Sequence, residues 1–131
     1  TTFDNCSFIR CEFNNCKLTG CNFIENVLFD IGFIDSNMGY ANISMSNLRG
    51  IFFNNTSIRS GSLQENKVKN INFKEADLTG TQFFKTSLNG IDLSNSNIDQ
   101  IAVSLEDIKG TKINQMQAID LMYLLGVKVV E

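Results

Sequence analysis

The sequence predicts an all-β solenoid, a chain that turns a corner every five residues. Three observations predict it. A large apolar residue returns at every fifth position, a small or β-branched residue commonly stands two positions before it, and residue types return again at a spacing of twenty.

The first series runs Phe3, Phe8, Phe13, Leu18, Phe23, Leu28, Phe33 and continues in register to Ile108 and Ile113, 23 positions that are all large and apolar. Only 43% of the chain is apolar, so composition alone does not produce an unbroken run of this length. A helix repeats at about 3.6 residues and a plain strand at about 2, and neither gives five. Five arises when each short extended segment points two residues inward, two positions apart, and then turns. The second inward set begins Thr1, Cys6, Cys11, Cys16, Cys21, Asn26, Ile31, Ser36 and Ala41. The position between the two sets is mostly polar, as at Asn22, Asn42, Asn72, Asp77 and Asp92, and "SNLRG" (46–50) and "ADLTG" (76–80) show the unit most plainly. Gly20, Gly50, Gly80, Gly90 and Gly110 all stand last in the unit, where a turn calls for positive φ.

The spacing of twenty places Phe13, Phe33, Phe53 and Phe73 in one core column and Ile31, Ile51, Ile71 and Ile91 in its partner. Like then stacks on like at the strand spacing of about 4.8 Å. A further column, Cys6, Asn26, Ser46, Asn66, Thr86 and Glu106, is polar and suited to a ladder of side-chain hydrogen bonds.

After Ile113 the period fails, with Ala118 where a large residue is due. The chain therefore divides into a solenoid, residues 1–113, and a C-terminal cap, residues 114–131. Asn114 and Gln117 form a capping-box pattern, which predicts a helix over "QMQAIDLMYLLG" stopped by Gly126, and "VKVVE" reads as a short strand. A stack of coils ends in unpaired backbone and an open core, so a terminal cap is expected. Five consecutive apolar residues, Leu121–Leu125, exceed what one amphipathic face needs. Leu121, Met122, Leu124 and Leu125, with Val127, Val129 and Val130, are the expected interface with a second chain. At the other end Thr1 is already in register, so either residues precede it or another chain covers the first coil.

The unit, repeated over residues 1–115, resembles the pentapeptide repeat family. The resemblance implies a right-handed quadrilateral β-helix with four units per coil, so 23 units make about 5.75 coils and a rod of roughly 27 Å. The ending "AIDLMYLLGVKVVE" is similar to those of the Qnr-type quinolone-resistance proteins and the related mycobacterial gyrase inhibitor. There, a terminal helix and strand pair two rods end to end, which implies a homodimer through the C-terminus. It also implies a DNA mimic directed at a type II topoisomerase, gyrase or topoisomerase IV.

The four cysteines fall within Cys6–Cys21 at a spacing of five. Tetrahedral zinc sites are usually built from two CxxC pairs, and this spacing is not that one. Cys6, Cys11, Cys16 and Cys21 are expected to be buried thiols acting as small apolar residues, with metal and disulfide as the competing readings. No signal peptide precedes them, which places the chain in the cytoplasm with its thiols reduced. The longest apolar run falls short of a membrane span.

With no histidine, no base can partner a Ser or Cys nucleophile in the usual way, and no glycine-rich phosphate loop is present. Neither an enzyme activity nor a cofactor, metal or small-molecule substrate is expected. The charge pattern counts partly against mimicry. Residues 1–48 carry five acids and two bases, residues 49–89 three and six, and residues 90–131 six and three. A mimic should keep a negative potential along its length. The alternative is a scaffold rod with some other protein partner, and Ile24, Phe29, Ile34 and Phe84 are the candidate outward apolar surface. Direct nucleic-acid binding through the central bases is disfavoured, because the stripe is thin and lacks stacking aromatics.

Overall fold

The computed structural model describes residues 2–128 and 130; Thr1, Val129 and Glu131 lie outside the described residues. The chain winds as stacked coils of about twenty residues, each with four walls. Wall one is built from β1 (Thr2–Asp4), β3 (Asn22–Ile24), β5 (Asn42–Ser44), β7 (Ser62–Gln64), β9 (Gln82–Phe84) and β10 (Ala102–Val103). Walls two and three are the two halves of β2 (Ser7–Asn14), β4 (Val27–Ile34), β6 (Asn47–Asn54) and β8 (Lys67–Lys74). Wall four is a line of single parallel bridges through Lys17, Asn37, Ser57, Asp77 and Asn97. All strand pairs are parallel and in register at twenty residues, as in Phe13↔Phe33 and Phe33↔Phe53.

The corners explain why the period is five and not four or six. The last residue of nearly every unit up to position 90 and again at 100 and 110 has positive φ, and fifteen of these residues are not glycine. Glutamate, lysine and tyrosine do not choose this region, so the corner is imposed by the stack and only made cheaper by Asn, Asp or Gly.

Inside, the two inward sets meet. Phe33 and Phe53 are fully buried, Phe73 is nearly so, and Phe13 is half-buried at the open first coil. Their rings stack at 5.0–5.1 Å with interplanar angles of 8–10°. Ile31, Ile51, Ile71 and Ile91 are all buried beside them. The polar column forms a ladder: Cys6 N–H donates to Asn26 Oδ1, Asn26 N–H to Ser46 Oγ, Ser46 N–H to Asn66 Oδ1 and Asn66 N–H to Thr86 Oγ1. Asn26 and Asn66 return the favour to the carbonyls of Phe3 and Ile43. Buried polar side chains are thus satisfied by the backbone corners they pack against. Glu106, at the top of this column, is exposed and ends it.

The cap begins as the sequence predicts: α1 (Gln115–Leu121) carries a complete capping box between Asn114 and Gln117. It then departs from the expectation of one continuous helix. Met122–Leu125 form a tighter 3₁₀ turn, closed by Gly126 at φ 72°, which lets the last carbonyls find donors one residue earlier. Gln117 is buried and its amide donates to the carbonyls of Leu93 and Ser96, fastening the helix across the end of the stack. The expected strand at the C-terminus is not formed at residues 127, 128 and 130. A strand exists only where another edge pairs with it, and after Gly126 the chain leaves the coils; Val127 and Val130 are exposed. No helix among the described residues is long and apolar enough to cross a membrane.

Candidate interaction surfaces

The four thiols are free and stand at the inward first position of four successive units, Cys21 opening the second coil, but only Cys21 is buried. Cys6, Cys11 and Cys16, in the first coil of the described residues, are half-buried, and each thiol points at the carbonyl two residues before it, 3.3–3.4 Å away. The expectation of four buried thiols therefore fails for three. No group of three or more metal-ligating side chains converges among the described residues.

Residues five apart advance by one wall. Ile24, Phe29 and Ile34 consequently lie on walls one, two and three, and Phe84 lies on wall one three coils above Ile24. They are not one surface, and only Phe84 is strongly exposed. Useful surfaces are read instead down columns twenty apart. One such column on wall two runs Ile9, Phe29, Arg49, Lys69, with neighbours in direct register. The Arg49 guanidinium lies 5.0 Å over the Phe29 ring, a cation–π contact.

Reading all columns shows that the central bases do not form a belt. Wall two and its following corner carry Arg10, Arg49, Lys67, Lys69 and Lys109 against Asp30, Glu106 and Asp107. Walls one and three each carry a net excess of acids, and wall four is balanced. Sequence reasoning taken along the chain missed this segregation; sorting outward residues by position within twenty would have found it. The Asp92 carboxyl on wall three is held below its usual range by hydrogen bonds from the Ser94 hydroxyl and N–H.

The C-terminal end is the apolar one. Leu121 and Leu124 are half-buried against the last coil, while Met122, Leu125, Val127 and Val130 are exposed. Leu105, Ile108, Ile113, Leu121, Leu124 and Leu125 line an open apolar cleft of about 250 Å³ between coil and cap. Tyr123 donates its hydroxyl to the Ile101 carbonyl; burial, and then the charge of Asp99, push its pKa up.

With this geometry in view, the family model for the pentapeptide repeat region matches residues 6–83. The chain belongs to the pentapeptide repeat family. Among solved structures it is similar to the pentapeptide repeat protein Rfr23 of the cyanobacterium Cyanothece, with 15% identity over 86% of this chain and 88% of that one, at a TM-score of 0.50. It also matches a trypsin-treated QnrB1, a plasmid-mediated fluoroquinolone resistance protein, at 17% identity over 99% and 89% of the two chains, with a TM-score of 0.34. A third similar structure is HetL, a pentapeptide repeat protein involved in heterocyst differentiation regulation from the cyanobacterium Nostoc. There the identity is 13% over 86% and 84% of the chains and the TM-score 0.31. At 15% identity the likeness to Rfr23 speaks for the pentapeptide repeat fold alone. No curated protein sequence matches the chain.

Proposed function

We propose that this pentapeptide repeat protein is a non-catalytic binding rod, active in the cytoplasm as a homodimer joined through its C-terminal caps. The observation that carries the reading is the distribution of exposed apolar side chains. Leu105, Met116, Ile119, Met122, Tyr123, Leu125, Val127 and Val130 are all exposed at one end of the rod, beside an open apolar cleft. An apolar patch of this kind on a water-soluble surface is the ordinary mark of an interface. A second copy brings an identical cap to the same cleft, the self-complementary arrangement of a two-fold dimer. Replacing Leu121 and Leu125 together with Asp is expected to convert dimers to monomers in sedimentation experiments. A wild-type monomer at micromolar concentration refutes the pairing.

The rod's partner is a protein read by fixed columns of side chains. A type II topoisomerase, approached by mimicry of DNA, is the second reading; the acid excess on walls one and three favours it and the basic wall two opposes it. Gyrase supercoiling assays with and without a quinolone test it. Absence of any effect in both leaves the interaction rod with another partner.

A further inference from the structure

The second sheet stops short. The order β2-β4-β6-β8 ends at β8, while the wall-one sheet continues past the same level through β9 and β10. The rungs make the break visible. Val27 N–H donates to the Cys6 carbonyl, Asn47 to Asn26 and Lys67 to Ser46, each at 2.9 Å, and the next rung, Ser87 to Asn66, is missing. At the far corner Asn15 donates to Ile34, Asp35 to Asn54 and Asn55 to Lys74, and the next in line, Glu75 to Ser94, is missing too. Among the described residues no backbone hydrogen bond joins Lys67–Lys74 to residues 87–94.

Coil five keeps its upward rungs on these walls, in the manner of Leu18 to Asn37 and Gly20 to Gly39 on wall four. Leu88, Gly90 and Leu93 donate to Asp107, Gly110 and Lys112 of the coil above. A hydrogen-bonded turn, Ile91 N–H to the Leu88 carbonyl with Gly90 at φ 78°, replaces the open corner used at residue 70 below. The Ser94 carbonyl is taken by the Asn114 amide. Walls one and four stay paired across the same level through β7–β9 and Asp77↔Asn97. The result is a seam on two walls only. Val68, whose column mates Leu28 and Leu48 are fully buried, is half-uncovered there. A cleft lined by Val68, Asn70, Ile71, Ser87 and Asn89 opens along it.

The open edge is also the basic one. Lys67 and Lys69 face outward from wall two on either side of inward Val68, Lys74 closes the strand on wall three, and Arg49 stands beside Lys69. The two ion pairs of the described residues, Arg59–Asp77 and Lys85–Glu65, involve none of them. The acids nearest this wall are Asp30 at one end, Glu106 and Asp107 toward the other, and Asp92 on the opposite bank of the seam.

We propose that the edge of β8 is a docking strand for an extended acidic segment of a partner protein. Unpaired strand edges recruit strands, which supply the missing backbone rungs. The alternation of β8 sets the pattern of the occupant. An acid, an aliphatic and an acid in succession place carboxylates against Lys67 and Lys69, about 6.6 Å apart along the strand, and the aliphatic side chain over Val68. Single-stranded nucleic acid meets the lysines but has no amide ladder to pair with the edge. The site is separate from the C-terminal cleft and does not depend on dimer formation.

Fluorescence anisotropy with a labelled Glu-Val-Glu-Val-Glu-Val peptide and the full chain tests the proposal. Binding is expected, with protection of the Lys67–Lys74 amides in hydrogen exchange. The double variant Lys67→Glu/Lys69→Glu should weaken it by about tenfold or more, and Leu125→Asp should leave it unchanged. A peptide of the same charge with Pro replacing the central Val should lose the amide protection. The proposal is overturned if the acidic peptide does not bind, if the charge reversal has no effect, or if the Pro peptide or an oligothymidylate binds equally well. In those cases the lysines only guard the edge against self-pairing.

Discussion

Coils one to four and the coils above them obey the same five-residue rule and are nonetheless held together differently. Below, a column of stacked phenylalanines runs through Phe13, Phe33, Phe53 and Phe73, and a polar ladder runs from Cys6 to Thr86. Above, the phenylalanine column becomes Leu93 and Ile113, and the ladder ends at exposed Glu106. The seam opens at the level where the phenylalanine column changes, while the polar ladder crosses it once more, from Asn66 N–H to Thr86 Oγ1, and ends one coil higher. The difference teaches that an apolar period settles which way side chains point, while the residue types within a column settle whether neighbouring coils pair along a wall. A flat ring buries its whole face on the ring below only if the coils lie parallel, which enforces strand pairing.

The sharpest way to break this comparison is to remove one ring. Phe53 is buried with a stacked neighbour on each side, and Phe53→Ala is expected to cost about 3–5 kcal/mol in urea unfolding. Ile113→Ala, in the same column but half-buried, should cost about half as much or less. Equal losses at the two positions would mean that neither the ring stack nor the deeper burial of Phe53 adds stability.

A smaller effect is expected from the ladder. Asn66→Leu keeps the volume but leaves the Ser46 N–H and the Ile43 carbonyl without their partner. Two buried orphaned groups cost about 2–4 kcal/mol. Glu106→Leu, in the same column above the seam, strands no backbone group and should be close to neutral by the same measurement.

Much of the fold was legible because each coil repeats one local rule. The period of five, the columns twenty apart and the capping box at Asn114 are all written at fixed spacings along the chain. The seam was not legible, because Leu88, Ile91 and Leu93 keep the inward register while the backbone between them changes partner. Nor was the state of the C-terminal residues, since strand formation at Val127 and Val130 depends on an edge outside the local sequence. The outward apolar set failed for a plainer reason. Ile24, Phe29 and Ile34 are neighbours in the chain's period but sit on three walls, so proximity in sequence was mistaken for a shared face. Three of the four thiols escaped burial because coverage of the first coil is set by what lies below it and not by the inward register that Cys6, Cys11 and Cys16 share with Cys21.

The finest test separates backbone from packing by using two exposed residues of one corner column. Met45 and Leu105 are alike in size and exposure, at 50% and 51%, and stand three coils apart. Met45 is held at φ 51°, whereas Leu105 is not among the positive-φ corners. A β-branched side chain is poorly tolerated in the left-handed region, so Met45→Val should lose about 1–2 kcal/mol. Leu105→Val should stay within about 0.5 kcal/mol. Neither substitution removes a buried contact, so any difference in their unfolding midpoints reports the corner conformation itself. A loss at Met45 with none at Leu105 means that the stack imposes a strained corner at 45 which the chain has relaxed at 105, although the corners at 85 and 100 keep it. Equal losses would place the same strain in both halves and leave the seam to the core columns alone.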